Sequence, residues 1–375
     1  VLFDLQGSGE QWLEDGPRYL NNGAMMRGWI ASGDWLDPVG FATKDYAQYP
    51  AHSVPYHPPG YAFLLGVWFF VVGMSYASAR VFIALCLGLA LCFFYGIFRR
   101  QRIAPWIAAT AAVLFATSPE IARWSRSAMS EIPGMLFIVA GSYCFVRGLD
   151  TERGRWYWVA FALAVVAFFC RILTAGVLPG WILCLLVTKG FRRVVSPHIV
   201  LPSIIYLVIG VMWVKFAKSY AAYEMPGSAA VRLGGCLTLE NLSKWLVGLP
   251  GMVGWITLAA ATCGVFLTFR TSRSRDFAWF WLLWFLGCYG LQVAHATQFE
   301  SRYFIFSVPA ICALAAGILF KSERPVLPKL AASLVIGAAI VGNSISLFRM
   351  PRGLRGFEEV AAQLAIQEKP GNVLV

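Results

Sequence analysis

Apolar residues recur along the chain in runs of about 15 to 24, separated by short polar connectors, and a run of that length wound at about 1.5 Å per residue crosses a hydrocarbon core of about 30 Å. Ten such helices are predicted, over 79–98, 104–118, 131–148, 156–170, 172–188, 198–216, 246–269, 277–295, 303–320 and 326–348. Repetition of this kind predicts an all-α polytopic membrane protein. The run Tyr61–Gly73 is too short to join the series. It reaches only about 20 Å as a helix, and it is predicted to be interfacial or re-entrant.

Composition agrees with lipid as the solvent. Hydrophobic residues make up 58% of the 375 and charged residues 13%, against about 25% charged in a soluble domain. The net charge of +12 changes the picture only through its placement. Basic residues sit in scattered connectors rather than in a stripe among exposed aromatics, which argues against nucleic acid as a partner. Cysteine is uninformative: eight of nine lie in apolar runs, Cys236 stands alone in a polar loop, and there is no C-x-x-C pair.

Charge does orient the helices. Alternate connectors carry Arg99, Arg100 and Arg102; Arg147, Arg153 and Arg155; Lys189, Arg192 and Arg193; Arg270, Arg273 and Arg275; Lys321, Arg324 and Lys329. The connectors between them are poorer in basic residues although two are longer. By the positive-inside rule the first set is cytoplasmic. The first 60 residues, the loops 119–130 and 217–245, the turn 296–302 and the C-terminal tail then share the opposite side. The expected organisation is an extracytoplasmic first loop with interfacial helices over 1–78, a helix bundle over 79–348, and the start of an extracytoplasmic domain over 349–375. An upstream spanning or signal segment is also expected, because the chain opens in a polar loop on the outer side.

Candidate chemistry collects on that outer side. The first loop is long, aromatic and acidic where a plain connector would be short. It contains Glu14-Asp15-Gly16-Pro17-Arg18-Tyr19, Gly33-Asp34-Trp35-Leu36 and His57-Pro58-Pro59-Gly60-Tyr61. Pro17 suits a helix start, so Asp15 acts either as a cap or as a functional carboxylate. A second acidic segment, Ser125-Arg126-Ser127-Ala128-Met129-Ser130-Glu131-Ile132-Pro133, places Ser130 as a cap and Glu131 against the positive end of a helix dipole. Structural and functional readings of Glu131 stand level here. Arg18, His57, Arg126, Arg171 and Arg302 supply positive groups on the same side. Guanidinium groups bind phosphate oxygens in pairs, although outer arginines also meet lipid head groups.

These motifs resemble the polyprenyl-phosphate-dependent glycosyltransferases of the GT-C class, the family that contains protein O-mannosyltransferases and the lipid A aminoarabinose transferase. The similarity runs from about Asp15 to Gly176 and returns over Ser301–Ala316. Asp15-Gly-Pro-Arg-Tyr19 is similar to the family's Asp-Glu-x-Arg-Tyr, Gly33-Asp-Trp-Leu36 to its Gly-Asp-Trp-Leu, and His57-Pro-Pro-Gly-Tyr61 to its Lys-Pro-Pro-Leu-Tyr. Ala128-Met-Ser-Glu-Ile-Pro133 resembles the second acidic motif, Leu-Thr-Asp-Ala-Pro, and Ser301-Arg-Tyr-Phe304 the late Arg-Tyr segment. Three departures matter: Gly16 stands for Glu, Glu131 for Asp, and His57 for a lysine that in some members meets the donor phosphate.

The resemblance implies a GT-C-like helix bundle with a long extracytoplasmic first loop, acting as an inverting membrane glycosyltransferase in a bacterial inner membrane. Its implied partners are a polyprenyl-phosphate sugar donor, an acceptor lipid, protein or glycan, and membrane lipid. It implies catalytic roles for Asp15 and Glu131 and substrate contacts for Arg18, Tyr19, His57, Arg126 and Arg302. No histidine spacing marks a metal site, and dependence on a divalent ion is left open. A transporter or flippase for a lipid-linked or anionic solute is the alternative. It predicts charged or broken helices at the midplane and related halves, whereas no internal repeat is found. A purely structural assembly partner would leave the pairing of Asp15 with Glu131 unexplained.

Overall fold

A computed structural model describes residues 16–49, 57–224, 238–270, 275–295, 301–320 and 326–349. Two helices precede the apolar runs, α1 over Gly16–Ser32 and α2 over Pro38–Gln48. Pro38 at the first position and an Asp37 Oδ1 that accepts the Gly40 N–H at 2.8 Å start α2. The short run forms α3, Pro59–Val72. It buries Tyr61, Leu65 and Phe69 on one side and leaves Phe63, Phe70 and Val71 outward, so both of its sides are apolar.

Next come α4 (Tyr76–Arg100) and α5 (Pro105–Thr117). Ser75 caps α4 by accepting the Ser78 N–H at 3.0 Å, and Arg99 and Arg100 meet the negative end of its dipole. A short α6 (Pro119–Trp124) leads to α7 (Glu131–Thr151), then α8 (Arg155–Cys170), a 3-10 turn over Ile172–Gly176 and α9 (Val177–Lys189). The remainder is α10 (Phe191–Val194), α11 (Pro197–Glu224), α12 (Leu239–Val253), α13 (Trp255–Phe269), α14 (Arg275–His295), a 3-10 turn over Ser301–Ser307, α15 (Val308–Ala316) and α16 (Val326–Arg349). No strand occurs among the described residues.

Among the described residues, six helical segments are long and apolar enough to cross a membrane: Tyr76–Arg100, Glu131–Thr151, Ile172–Lys189, Pro197–Ser219, Arg275–Ala294 and Ser301–Leu319. The protein is an integral membrane protein. Shorter apolar helices cover Pro105–Thr117 and Arg155–Cys170, where full spans were expected. The continuous helix expected over 246–269 is instead broken between α12 and α13, with a bend of 111°. Gly254 makes the break. Its φ of +84° lies in the region that favours glycine, and a Cβ there would come within 2.5 Å of Asn343 Oδ1.

Part of the buried core lies between α4, α5 and α14, where Phe94, Phe98, Phe115, Phe277 and Trp281 meet edge to face or tilted. Helix α7 lies between α4 and α8 and is the most enclosed of the long helices beside the Ser301–Leu319 segment. That enclosure matters for function. It holds the first residue of α7 inside the protein at one end of the bundle.

Candidate active site

Glu131 opens α7 and is fully buried. A carboxylate is tolerated at this depth because the helix dipole favours it and because Arg171, itself only 9% exposed, brings Nη2 to 3.1 Å from Oε1. Arg171 is held at the junction of α8 with the following 3-10 turn, where its backbone N–H still bonds the Ala167 carbonyl. Among the described residues neither Glu131 oxygen receives a directed hydrogen bond, so the pair is ionic and the carboxylate keeps acceptor capacity.

Tyr19 ties the first loop to this pair. Its hydroxyl accepts hydrogen bonds from Arg171 Nη1 and from Ser130 Oγ, both at 3.0 Å, and lies 3.3 Å from His57 Nδ1. The hydroxyl thus links the Arg171 guanidinium, Ser130 and the His57 ring. Ser130 was expected to cap α7. Its hydroxyl makes no cap bond, because it is spent on Tyr19 instead.

Close helix packing sets Tyr19 in place. A Cβ on Gly66 of α3 would come 2.6 Å from Met26 Cβ and 2.9 Å from the Arg27 backbone nitrogen, so only glycine lets α3 lie this near α1. The Tyr19 ring then rests edge-on against Tyr61, with centroids 5.3 Å apart, and 4.7 Å from the His57 ring. On the far side the 3-10 turn Ser301–Ser307 is anchored where Trp284 Nε1 donates to the Phe306 carbonyl at 2.7 Å. This turn brings Tyr303 beneath two guanidinium groups, Arg171 at 5.5 Å and Arg302 at 5.1 Å from the ring centre.

Of the residues singled out in the sequence, Tyr19, His57 and Glu131 therefore converge, and Arg302 joins them through Tyr303. Arg126 is half-buried just beyond α6, while Arg18 lies on the exposed side of α1. Asp15 falls outside the described residues. Arg171 was noted only as one of several outer basic groups, yet it sits at the centre. Its signal was that an arginine interrupts an otherwise apolar stretch from Trp156 to Val187.

Glu120 was missed altogether. It is buried in α6 and takes hydrogen bonds from the Trp124 indole and the Ser301 side chain. Burial raises its pKa, against the lowering effect of those two bonds and of Arg123. A carboxylate after Pro119 in a loop reads as a surface group, so nothing in the pattern marked it. Among the described residues, no group of three or more His, Cys, Asp or Glu side chains is placed to hold a metal ion.

A helical membrane bundle with short first-loop helices docked on it, and with a buried acid and arginine at one end, fits the GT-C fold that the sequence motifs resemble. Residues 56–214 match the family model described as dolichyl-phosphate-mannose-protein mannosyltransferase. That stretch includes His57, Arg126, Glu131 and Arg171. In structure the chain is similar to ArnT from Cupriavidus metallidurans bound to undecaprenyl phosphate, with a TM-score of 0.61 at 17% identity over 89% of this chain. The apo form of ArnT from the same organism gives 0.61 at 18% over 86%. At these identities the likeness establishes the fold, and the chain spans about 60% of the ArnT chain's length. No curated protein sequence matches the chain.

Proposed function

We propose that the chain belongs to a membrane glycosyltransferase that moves a sugar from a polyprenyl-phosphate carrier to an acceptor hydroxyl on the extracytoplasmic face. The observation that carries this reading is the buried cluster of Tyr19, His57, Ser130, Glu131 and Arg171. Four separate segments contribute to it, and all but Arg171 come from motifs that resemble the GT-C family. The match of residues 56–214 and the undecaprenyl phosphate bound to the similarly folded ArnT support the same donor class.

In this mechanism the acceptor oxygen attacks the anomeric carbon opposite the departing phosphate, so the configuration inverts. A carboxylate must take the acceptor's proton as the bond forms. We assign that role to Asp15. Chain connectivity alone keeps it within roughly 14 Å of Tyr19, four residues along. The leaving phosphate gathers negative charge, which Arg171 and Arg302 stabilise away from bulk water, with the His57 ring as a further polar group beside them. Glu131 holds Arg171 in position and offers its remaining lone pairs to a sugar or acceptor hydroxyl. The outward apolar side of α3 is suited to hold the prenyl chain, so the donor reacts without leaving the bilayer.

The test uses purified protein, a polyprenyl-phosphate sugar and a panel of lipid, peptide and glycan acceptors. Asp15→Asn keeps the size and capping ability of the side chain but cannot take a proton. Transfer is expected to fall by about 100-fold to 10,000-fold, while retention of the donor lipid is unchanged. Near-normal turnover in this variant would move the base to another carboxylate, Glu131 first. Wild-type protein that carried lipid-linked sugar across vesicles without transferring it would replace the enzyme with a transporter.

A further inference from the structure

The end of the bundle opposite Glu131 holds a second polar site that the transfer reaction does not use. Helix α7 runs about 30 Å from Glu131 to Thr151. Beside its final turns opens a pocket of about 430 Å³, lined by Tyr95, Arg99, Arg100 and Arg102 from α4 and its connector, and by Tyr143 and Asp150 from α7. Three guanidinium groups thus share the pocket with one carboxylate.

Part of this charge is held in place. Arg100 approaches the Tyr143 hydroxyl with Nε at 3.4 Å, lies 5.8 Å over its ring, and brings Nη1 to 3.8 Å from Asp150. Arg99 donates to the Ile103 carbonyl at 2.5 Å, and Arg102 sits in a left-handed turn with φ +60°. Gly96 lets the two helices close on each other here, because a Cβ would already stand 3.0 Å from the Tyr143 ring. The pocket is an electropositive notch between two helices, with Arg99 and Arg102 exposed at its mouth.

An apolar track leads to it. Leu85, Gly88, Leu89 and Cys92 are exposed, and their spacing of three and four places them on one face of α4. The same face continues through Gly96 to Arg99. Leu85 and Leu89 are half-exposed within a helix long enough to span the membrane, so this track faces lipid. Paired arginines recognise phosphate oxygens in bidentate fashion, and basic pockets between helices at a membrane boundary select anionic head groups.

We infer that the notch between α4 and α7 is a binding site for an anionic glycerophospholipid, its phosphate held by Arg99, Arg100 and Arg102 and an acyl chain lying along Leu85, Leu89 and Cys92. A soluble phosphate shares the head-group chemistry. The continuous apolar face ending at the arginines is what assigns the site to a lipid.

Two measurements test it. Wild-type protein is reconstituted with phosphatidylglycerol or phosphatidylcholine carrying a photoreactive acyl chain, and the labelled peptides are mapped. Phosphatidylglycerol is expected to label residues 85–96 of α4 in preference to phosphatidylcholine. Equal labelling by both lipids, or anionic labelling confined to other helices, would overturn the assignment. In native mass spectrometry, Arg99→Gln/Arg102→Gln should retain about ten-fold less phosphatidylglycerol than wild type, with Arg99→Lys/Arg102→Lys recovering most of it. Retention unchanged in the Gln variant would sink the proposal. So would full displacement of the lipid by millimolar inorganic phosphate, which would mark a soluble anion as the occupant. Should the Gln variant fail to fold, the wild-type labelling map decides alone.

Discussion

Arg171 and Glu131 form a single buried pair that can be near neutral for stability while carrying a role in the proposed mechanism. Both charges are removed from water, and their mutual attraction largely offsets that cost. Removing one partner strands the other. Arg171→Gln should therefore destabilise the protein by about 3–5 kcal/mol, whereas the double change Arg171→Gln/Glu131→Gln should recover most of that loss. Thermal unfolding of the detergent-solubilised proteins reads both effects. Donor retention is expected to stay low in the double variant, because the guanidinium proposed to meet phosphate is gone even where stability returns. Full recovery of donor binding would make the pair purely structural. Sequence alone could group Arg171 with the basic residues expected on the outer side but could not rank it above Arg18 or Arg126. Which of several arginines is buried depends on neighbours that arrive from α1, α7 and the Ser301–Ser307 turn.

At the scale of elements, α1 and α3 act as a clamp that carries the first loop onto the bundle. Their contact depends on Gly66, where any side chain meets the α1 backbone and not the far end of a flexible group. Overpacking of this kind costs about 1–3 kcal/mol. Gly66→Leu is thus expected to push α1 outward and speed amide exchange over Gly16–Ser32 by about 5-fold to 100-fold. The long helices α7 and α14 should keep their protection. Since Tyr19 rides on α1, donor retention should weaken in parallel. Uniform loss of protection through α7 would instead mean that α3 is part of the global fold. The existence of α3 as a short apolar helix was legible from its length, but its partner was not. The break between α12 and α13 was equally hidden, because a glycine inside an apolar run has many tolerated settings and nothing in the run itself marks Gly254 as the one with a positive φ.

For the molecule as a whole, the functional reading requires the Glu131 end of the bundle to face outward and the Arg99–Arg102 end to face the cytoplasm. Single cysteines in a cysteine-free background test this with an impermeant thiol reagent on intact cells. Leu36→Cys, on a fully exposed residue between α1 and α2, and Gln298→Cys should be labelled from outside. Glu152→Cys, beside the end of α7, and Arg273→Cys should react only after the membrane is opened. Labelling of Glu152→Cys from outside would invert the topology and place the Glu131 cluster in contact with cytoplasmic donors.

Long apolar runs, basic connectors and the ordered acidic motifs were enough by themselves to establish a polytopic helical membrane protein with the GT-C pattern and to nominate candidate residues for its site. These properties are local. The length of a run determines whether it can span, and a connector's charge biases its side, whatever the helices later touch. Tertiary structure alone decided that Tyr19 and not Arg18 turns inward, that Ser130 serves Tyr19 and not its own helix, and that Arg171 is the partner of Glu131. It also decided that Glu120 is buried against Ser301. In a chain where most positions are apolar, the pattern says little about which face of a helix turns to lipid and which to its neighbours. Helix packing makes that choice, and a polar side chain acquires its partner only once the helices have come together.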